Sequence, residues 1–235
     1  MRINDPEAVA RQYASEENLE ARRSLYANAE GPDPREVSFR AVAECEPGRV
    51  LEVGGGPGEL AARIRDEIGC EVVMVDISPR MVELARERGV EAHVGDAADL
   101  PFPDGSFDCV LAAWMLFHLP DIDRGLAELA RVLAQDGRLV ATTNSERHME
   151  ELRAVAGKAS WDRVFTRENG AEILGRHFES VERRDVDGWT TIEHDDVVRG
   201  FVESLDADGP TEIGTYELPL RCRRASCVFV ATGRR

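Results

Sequence analysis

At 235 residues and 26.0 kDa, with 43% hydrophobic and 31% charged residues, the chain has the balance of a folded globule large enough to hold a core without disulfides or metal. Its 45 acidic against 29 basic residues give a net charge of -16, a field that repels nucleic acid and anionic membranes, and its longest apolar run, 109–117, is nine residues where about 18 would be needed to cross a bilayer. These counts argue against a filament, a membrane span and a nucleic-acid partner.

The opening Met-Arg-Ile-Asn-Asp-Pro-Glu contains no apolar stretch of the kind that directs export, so a cytoplasmic location is expected. Asp5-Pro6 and Asp33-Pro34 each set a cap residue before a helix-starting proline, and Asp33 with Glu36 has capping-box spacing. Two helical segments are therefore expected before residue 46, broken at Gly31-Pro32. From Arg49 short apolar runs alternate with amphipathic stretches. Strands are expected at 50–53, 71–75, 90–94, 109–114 and 138–143, and helices at about 58–68, 79–88 and 121–135, the last with Ile122, Leu126, Leu129 and Leu133 on one face. This repetition predicts a parallel sheet covered by helices on both faces. Beyond Thr143 helices are expected at about 145–156, 167–176 and 193–204, and strands at about 178–186 and 217–232, as a sheet edge and a helical cap. Arg221, Arg223 and Arg224 are the internal basic residues that could form a patch, and the alternation of Arg221 with Arg223 reads as the solvated face of a strand. Five cysteines without a C-x-x-C pair and five histidines without ligand spacing predict neither a disulfide framework nor a metal site.

In an open parallel sheet, ligands bind beyond the carboxyl ends of the strands. The first strand runs into Glu52-Val53-Gly54-Gly55-Gly56-Pro57-Gly58-Glu59, a glycine loop opening a helix, where the backbone can approach a ligand closely. A nucleoside-triphosphate loop needs Gly-Lys-Ser/Thr where this chain has Gly58-Glu59-Leu60. A dinucleotide loop favours glycine at position 59, and the carboxylates of Glu52 and Glu59 oppose a pyrophosphate there. A cationic ligand without phosphate, such as S-adenosylmethionine with its sulfonium and ammonium, meets no such conflict. The second strand ends at Asp76, 18 residues after Gly58, and its carboxylate can accept ribose hydroxyl protons from NAD or S-adenosylmethionine alike. The third ends in Gly95-Asp96-Ala97, where Asp96 can accept from an adenine amine. Each acid alone could be a loop cap; jointly with the glycine loop they form an adenosine-shaped set.

These segments resemble the class I S-adenosylmethionine-dependent methyltransferases of small-molecule type. VLEVGGGPGEL (50–60) is similar to their first motif, VDISPRMVELAR (75–86) to their acidic second strand, and GDAADLPFPDGSFDCVLAAWMLFHL (95–119) to their adenine segment and fourth strand. The resemblance covers about residues 46–145. It implies a Rossmann-like, mostly parallel seven-stranded sheet with helices on both faces and the last strand antiparallel; outside the resemblance, residues 1–45 are expected as an N-terminal helical lid and 146–235 as cap helices and sheet-edge strands completing the same domain. It implies that Glu52, Gly54, Gly56 and Gly58 surround the methionyl part of the cofactor, Asp76 holds the ribose, Ile77 packs on the adenine, Asp96 and Ala97 read its edge, and Ala113 approaches by backbone. S-adenosylhomocysteine would be the product.

Departures from subfamilies narrow the expectation. The Asn-Pro-Pro-Tyr signature of base-amine methylation is replaced by Ala113-Trp114-Met115-Leu116, the glutamate of cyclopropane-forming relatives by Phe117, and no metal-binding acid ends the fourth strand, so no metal is expected. Lys158, the one lysine, is not preceded four residues earlier by the tyrosine a short-chain dehydrogenase requires. What remains is a methyl donor facing an apolar mouth that Tyr13, Tyr26, Trp114, Met115 and Phe117 could line, with Trp161, Phe165 and Trp189 as further aromatics. His118 is the candidate base, its imidazole titrating near neutrality. The expected acceptor is a small, apolar metabolite methylated at O, N or C; the alternatives are a non-catalytic partner protein with this fold and an NAD-dependent oxidoreductase. No oligomeric state follows from the sequence.

Overall fold

The computed structural model describes residues 23–157, 163–204 and 213–235. The first expected helix, Asp5-Pro6, Tyr13, Lys158 and Trp161 lie outside them. Helix α1 (Pro34–Ala43) starts where Asp33 Oδ1 accepts from the Arg35 N–H at 2.8 Å. The capping box expected from Glu36 does not form: its carboxylate pairs with Arg40 and Arg63, each at 2.8 Å, because two guanidiniums outcompete one backbone N–H for it.

The sheet has eight strands in the order β1-β7-β8-β6-β5-β2-β3-β4. Strands β2 (Arg49–Val53), β3 (Glu71–Asp76), β4 (Glu91–Val94), β5 (Phe107–Ala113) and β6 (Leu133–Asn144) pair in parallel, while β8 (Leu220–Arg234) runs antiparallel to β6 and to β7 (Phe178–Ile192). The expected mostly parallel sheet with an antiparallel last strand is present. The strand beyond the expected seven is β1 (Ala29–Glu30), which pairs with Thr190 and Trp189; two residues, one of them charged, carry no apolar pattern to read.

Helices α2 (Glu59–Ile68) and α3 (Pro79–Glu87) cross one face with α1, burying Val50, Val72, Met74, Cys109 and Leu111 against Ala61, Ile64, Val82 and Ala85. Helix α4 (Ile122–Val132) covers the other, burying Leu51, Val53, Val73, Val110 and Leu139 against Leu126 and Leu129. A third cluster, with Leu25, Leu152, Ile192, Val198, Phe201 and Cys222, joins α5 (Glu150–Val155) and α7 (Asp195–Ser204) to the end of the β7–β8 hairpin. That hairpin overshoots β6, so the third cluster sits at the carboxyl end of the parallel strands.

Two expected helices are shorter than their patterns. Helix α5 begins at Glu150, not near 145, because the Ser145 and Met149 N–H groups donate to Ala225 O (2.9 Å) and Arg223 O (2.8 Å) of β8. Helix α6 (Gly170–Leu174) is delayed because the Arg167 N–H donates to Asn144 O at 3.1 Å. Likewise α4 stops at Val132, since Leu133 already pairs with Phe107 in the sheet. Among the basic residues, Arg221 is exposed and paired with Glu30 at 3.2 Å, whereas Arg224 is buried and donates to Glu30 O and Pro32 O. Among the described residues no helix is long and apolar enough to cross a membrane, and no group of three His, Cys, Asp or Glu could hold a metal.

Candidate active site

The site is built where β2, β3 and β5 end. The loop after β2 is tied to β3 twice: the Gly54 N–H donates to Val75 O at 2.7 Å, and the Gly56 N–H to Asp76 Oδ2 at 2.9 Å. Asp76 Oδ1 accepts from the Ser78 N–H at 2.8 Å, and Ser78 Oγ in turn caps α3. Each carboxylate oxygen of Asp76 keeps a lone pair for a further donor. Burial pushes this carboxyl above its usual range, and the two N–H groups oppose that shift. Gly56 has φ +58 and nothing within 4 Å of where a Cβ would stand, so the backbone faces open space there.

Glu52 is buried at the end of β2. Burial above all, together with the Asp76 carboxylate, raises its pKa to about 8, against an N–H from Ala61 and the charge of Arg35. Its Oε2 is buried without a hydrogen bond. Glu59 differs: Arg23 (2.6 Å), Arg35 (3.2 Å) and Arg88 (3.8 Å) surround it and largely neutralise it. The repulsion that disfavours a pyrophosphate therefore rests on Asp76, not on Glu59, whose charge is paired, nor on Glu52, which burial keeps neutral. An orphaned buried carboxylate oxygen, an open glycine face, a carboxylate with two free lone pairs and the 39% exposed Ile77 side chain together suit a ligand carrying a cation, a diol and a flat ring. S-adenosylmethionine is such a ligand. Asp96 stands exposed after β4, accepting from the Ala98 N–H at 2.9 Å, beside buried Ala97; Ala113 is half-buried at the end of β5.

On the acceptor side, Trp114 holds a left-handed backbone, φ +55, that a bulky residue adopts only when its surroundings impose it. Its N–H donates to Thr142 O (2.8 Å) and its indole to Asn144 Oδ1 (3.1 Å), which also accepts from Ser226 Oγ (2.8 Å). Met115 lies over the glycine loop, where a Cβ on Gly54 would come within 2.6 Å of its own. Phe117 is buried, with the Arg163 guanidinium 4.0 Å above its ring and the His118 ring 4.5 Å away. Tyr26 meets His148 Nε2 through its hydroxyl at 3.0 Å. His148 is buried against the Ala225 backbone, and burial, helped by nearby arginines, drives its pKa down to about 3. Phe165 lies in the core, and Trp189 lies on β7 under Arg221 and Arg223, beside a shallow depression of about 340 Å³. No spaced motif in the sequence points to Asn144, His148, Arg163 or Ser226.

A family model described as a methyltransferase domain matches residues 51–141. Among curated relatives, the demethylmenaquinone methyltransferase of Thermus thermophilus is 42% identical over 104 residues, 41% of this chain and 47% of that protein, so the match spans about half of that relative. The malonyl-[acyl-carrier protein] O-methyltransferase of Geobacter sulfurreducens is 34% identical over 192 residues, 74% of this chain and 71% of that one. Among solved structures, a phosphoethanolamine N-methyltransferase of Haemonchus contortus bound to S-adenosylhomocysteine superposes with a TM-score of 0.66 at 18% identity, covering 100% of this chain and 61% of that one, a likeness of fold. With the glycine loop, Asp76 and the strand order all in place, these matches make the chain a member of the class I S-adenosylmethionine-dependent methyltransferases, and S-adenosylmethionine its cofactor.

Proposed function

We propose that the methyl acceptor is a small, largely apolar metabolite that reacts through O, N or C beside Trp114. The left-handed Trp114 backbone carries this reading: strain of that kind, held by Thr142, turns the indole toward Asn144 at the carboxyl end of β6. The relatives named above act on different acceptors, which supports a shared donor site with a separately shaped acceptor side. Residues 23–33 act as a lid, fastened to the start of α2 through Arg23 and Glu59, while α1 belongs to the helical layer on the sheet, and α5 and α7 act as a cap over the strand ends. The bound cofactor supplies an electrophilic methyl. The chain orients it through Glu52, Asp76, Ile77, Asp96 and the backbone of Gly54, Gly56, Gly58, Ala97 and Ala113, and keeps water from it with Trp114, Met115 and Tyr26. Alignment of donor and acceptor in a dry site supplies about 7 to 11 kcal/mol. Transfer of labelled methyl from the cofactor to a metabolite extract tests the reading; label found only in macromolecules would refute it.

Two substitutions probe the parts. Asp76→Ala is expected to weaken S-adenosylhomocysteine binding by about 1 to 3 kcal/mol, the range for hydrogen bonds to a charged group. It also strips the acceptor from the Gly56 and Ser78 N–H groups, so the unfolding midpoint falls with the affinity. Calorimetry that shows an unchanged affinity would reduce Asp76 to a loop tie. His118 stands one turn beyond Trp114, where its imidazole takes the proton of a hydroxyl acceptor. The rate of His118→Gln should then fall ~100-fold or more and lose the basic limb of its pH profile. A drop below ~10-fold with an unaltered profile leaves catalysis to positioning.

A further inference from the structure

Asn144 closes β6, and the register of the sheet fixes where it stands. Ala113, the last residue of β5, pairs with Thr142, so Asn144 lies two residues farther along, about 6 to 7 Å past Ala113 in the direction in which the parallel strands end. Side chains two apart on a strand share a face, and Thr142 meets Ser38 of α1 at 2.7 Å, whereas Thr143 turns the other way to Phe165 O. Asn144 therefore starts from the face that α1 covers. Its side chain is 8% exposed, and its carboxamide is held at one end only. The Trp114 indole N–H is a donor that cannot accept, so the atom facing it at 3.1 Å is the oxygen, and Ser226 Oγ donates to that same oxygen at 2.8 Å. These two bonds fill the lone pairs of Oδ1 and fix which way the amide is turned. The backbone carbonyl of Asn144 takes the Arg167 N–H. What is left is Nδ2, two N–H donors with no hydrogen-bond partner among the described residues, and it is not one of the polar atoms sealed inside the fold. The left-handed Trp114 backbone and the β6–β8 pairing that sets Ser226 opposite Asn144 thus have one joint result, a rigid amide donor presented at the end of β6.

We infer that the methyl acceptor carries a carbonyl oxygen and that Asn144 selects it by donating through Nδ2. A neutral amide donor in a largely buried position matches a neutral acceptor oxygen, which loses its water at smaller cost than a carboxylate or a phosphate does. Trp114 and Ser226 direct their own protons at Oδ1, so they orient the amide and leave recognition to it. An apolar analogue without the oxygen would cover Nδ2 and leave it unpaired, and a site built around a hydrogen bond rejects such an analogue strongly. The inference rests on the acceptor reading above and adds the group by which the acceptor is held.

The test measures binding of three probes on one ring skeleton, 1-indanone, indane and 1-aminoindane, to the protein saturated with S-adenosylhomocysteine. The ketone should bind at least ~10-fold more tightly than the hydrocarbon, which lacks an acceptor, and than the amine, whose ammonium can only donate. Asn144→Asp is the diagnostic variant. Its carboxylate still accepts from Trp114 and Ser226 but sets an oxygen where Nδ2 stood, so the ketone preference should vanish while S-adenosylhomocysteine affinity and the unfolding midpoint stay close to those of the parent. A residue that only tied Trp114 to Ser226 would keep the preference in Asn144→Asp, and that result overturns the inference, as does a hydrocarbon or amine that binds the native chain as tightly as the ketone. If Asn144→Asp does not fold, the nitrogen-15 signal of the Asn144 side-chain amide in the native chain decides: it should move with 1-indanone and not with indane, and a signal that stays in place under saturating ketone overturns the inference. Should none of the probes bind while labelled methyl still reaches small molecules, the carbonyl falls and the small-metabolite reading stands; label in macromolecules alone removes both.

Discussion

Raising the pH through the window from about 4.5 to about 8 is expected to destabilise the cofactor-free protein through Glu52. In the unfolded chain this carboxyl ionises near 4.5, and in the fold burial holds it neutral up to about 8. Between those values the folded state binds more protons, so stability falls with rising pH by up to about 1.4 kcal/mol per unit. His148 works in the opposite direction. Its ordinary pKa of 6.5 drops to about 3 in the fold, so below 6.5 the unfolded state takes up the extra proton and stability falls with acidification. The two slopes oppose each other between 4.5 and 6.5, which predicts a plateau there and losses on both sides. Denaturant unfolding across pH checks this, and Glu52→Gln should remove the alkaline loss. A cofactor whose ammonium meets the Glu52 carboxylate draws the proton off, so S-adenosylhomocysteine should bind more tightly as pH rises toward 8, with a proton released that calorimetry in buffers of different ionisation enthalpy detects. Binding that neither changes with pH nor weakens in Glu52→Gln would separate Glu52 from the cofactor.

Gly58→Ala is expected to cost about 2 to 5 kcal/mol of stability. Its φ of +74 places any L side chain in the left-handed region, and its Cβ would stand 2.6 Å from Ala85 Cβ and 3.0 Å from Ala85 Cα. The first effect costs about 1 to 2 kcal/mol and the overpacking about 1 to 3 kcal/mol more, with little room to yield because α2 and α3 meet there through backbone. Gly56→Ala supplies the contrast. Its φ of +58 carries the same conformational cost, but no atom lies within 4 Å, so stability should fall by only about 1 to 2 kcal/mol. Its methyl would project into the open space the backbone presents to the cofactor, and S-adenosylhomocysteine binding should suffer far more than folding. Urea unfolding with a constant slope, beside cofactor titration, measures both. A Gly58→Ala protein as stable as the parent would mean that α3 moves freely, against the packing described.

Local periodicity by itself determined the parallel sheet and the helices α2 to α4, because a residue's burial in such a sheet repeats with the geometry of its own element. It also determined the glycine loop and Asp76, since the turn after β2 and the carboxylate after β3 must meet wherever two adjacent parallel strands end. Tertiary structure alone decided the rest. The strand Ala29–Glu30 exists because β7 offers it an edge, and α5 and α6 start late because β6 and β8 claim backbone groups that the helical pattern would have used. The three arginines around Glu59 come from separate elements, so the charge that looked decisive in the loop is neutralised there. Tyr26 and His148 lie 122 residues apart, and Arg163 reaches Phe117 from another segment of the chain. Such pairs leave no trace in spacing, because a side chain's partner across the fold is set by where distant segments are packed, not by any period in its own neighbourhood.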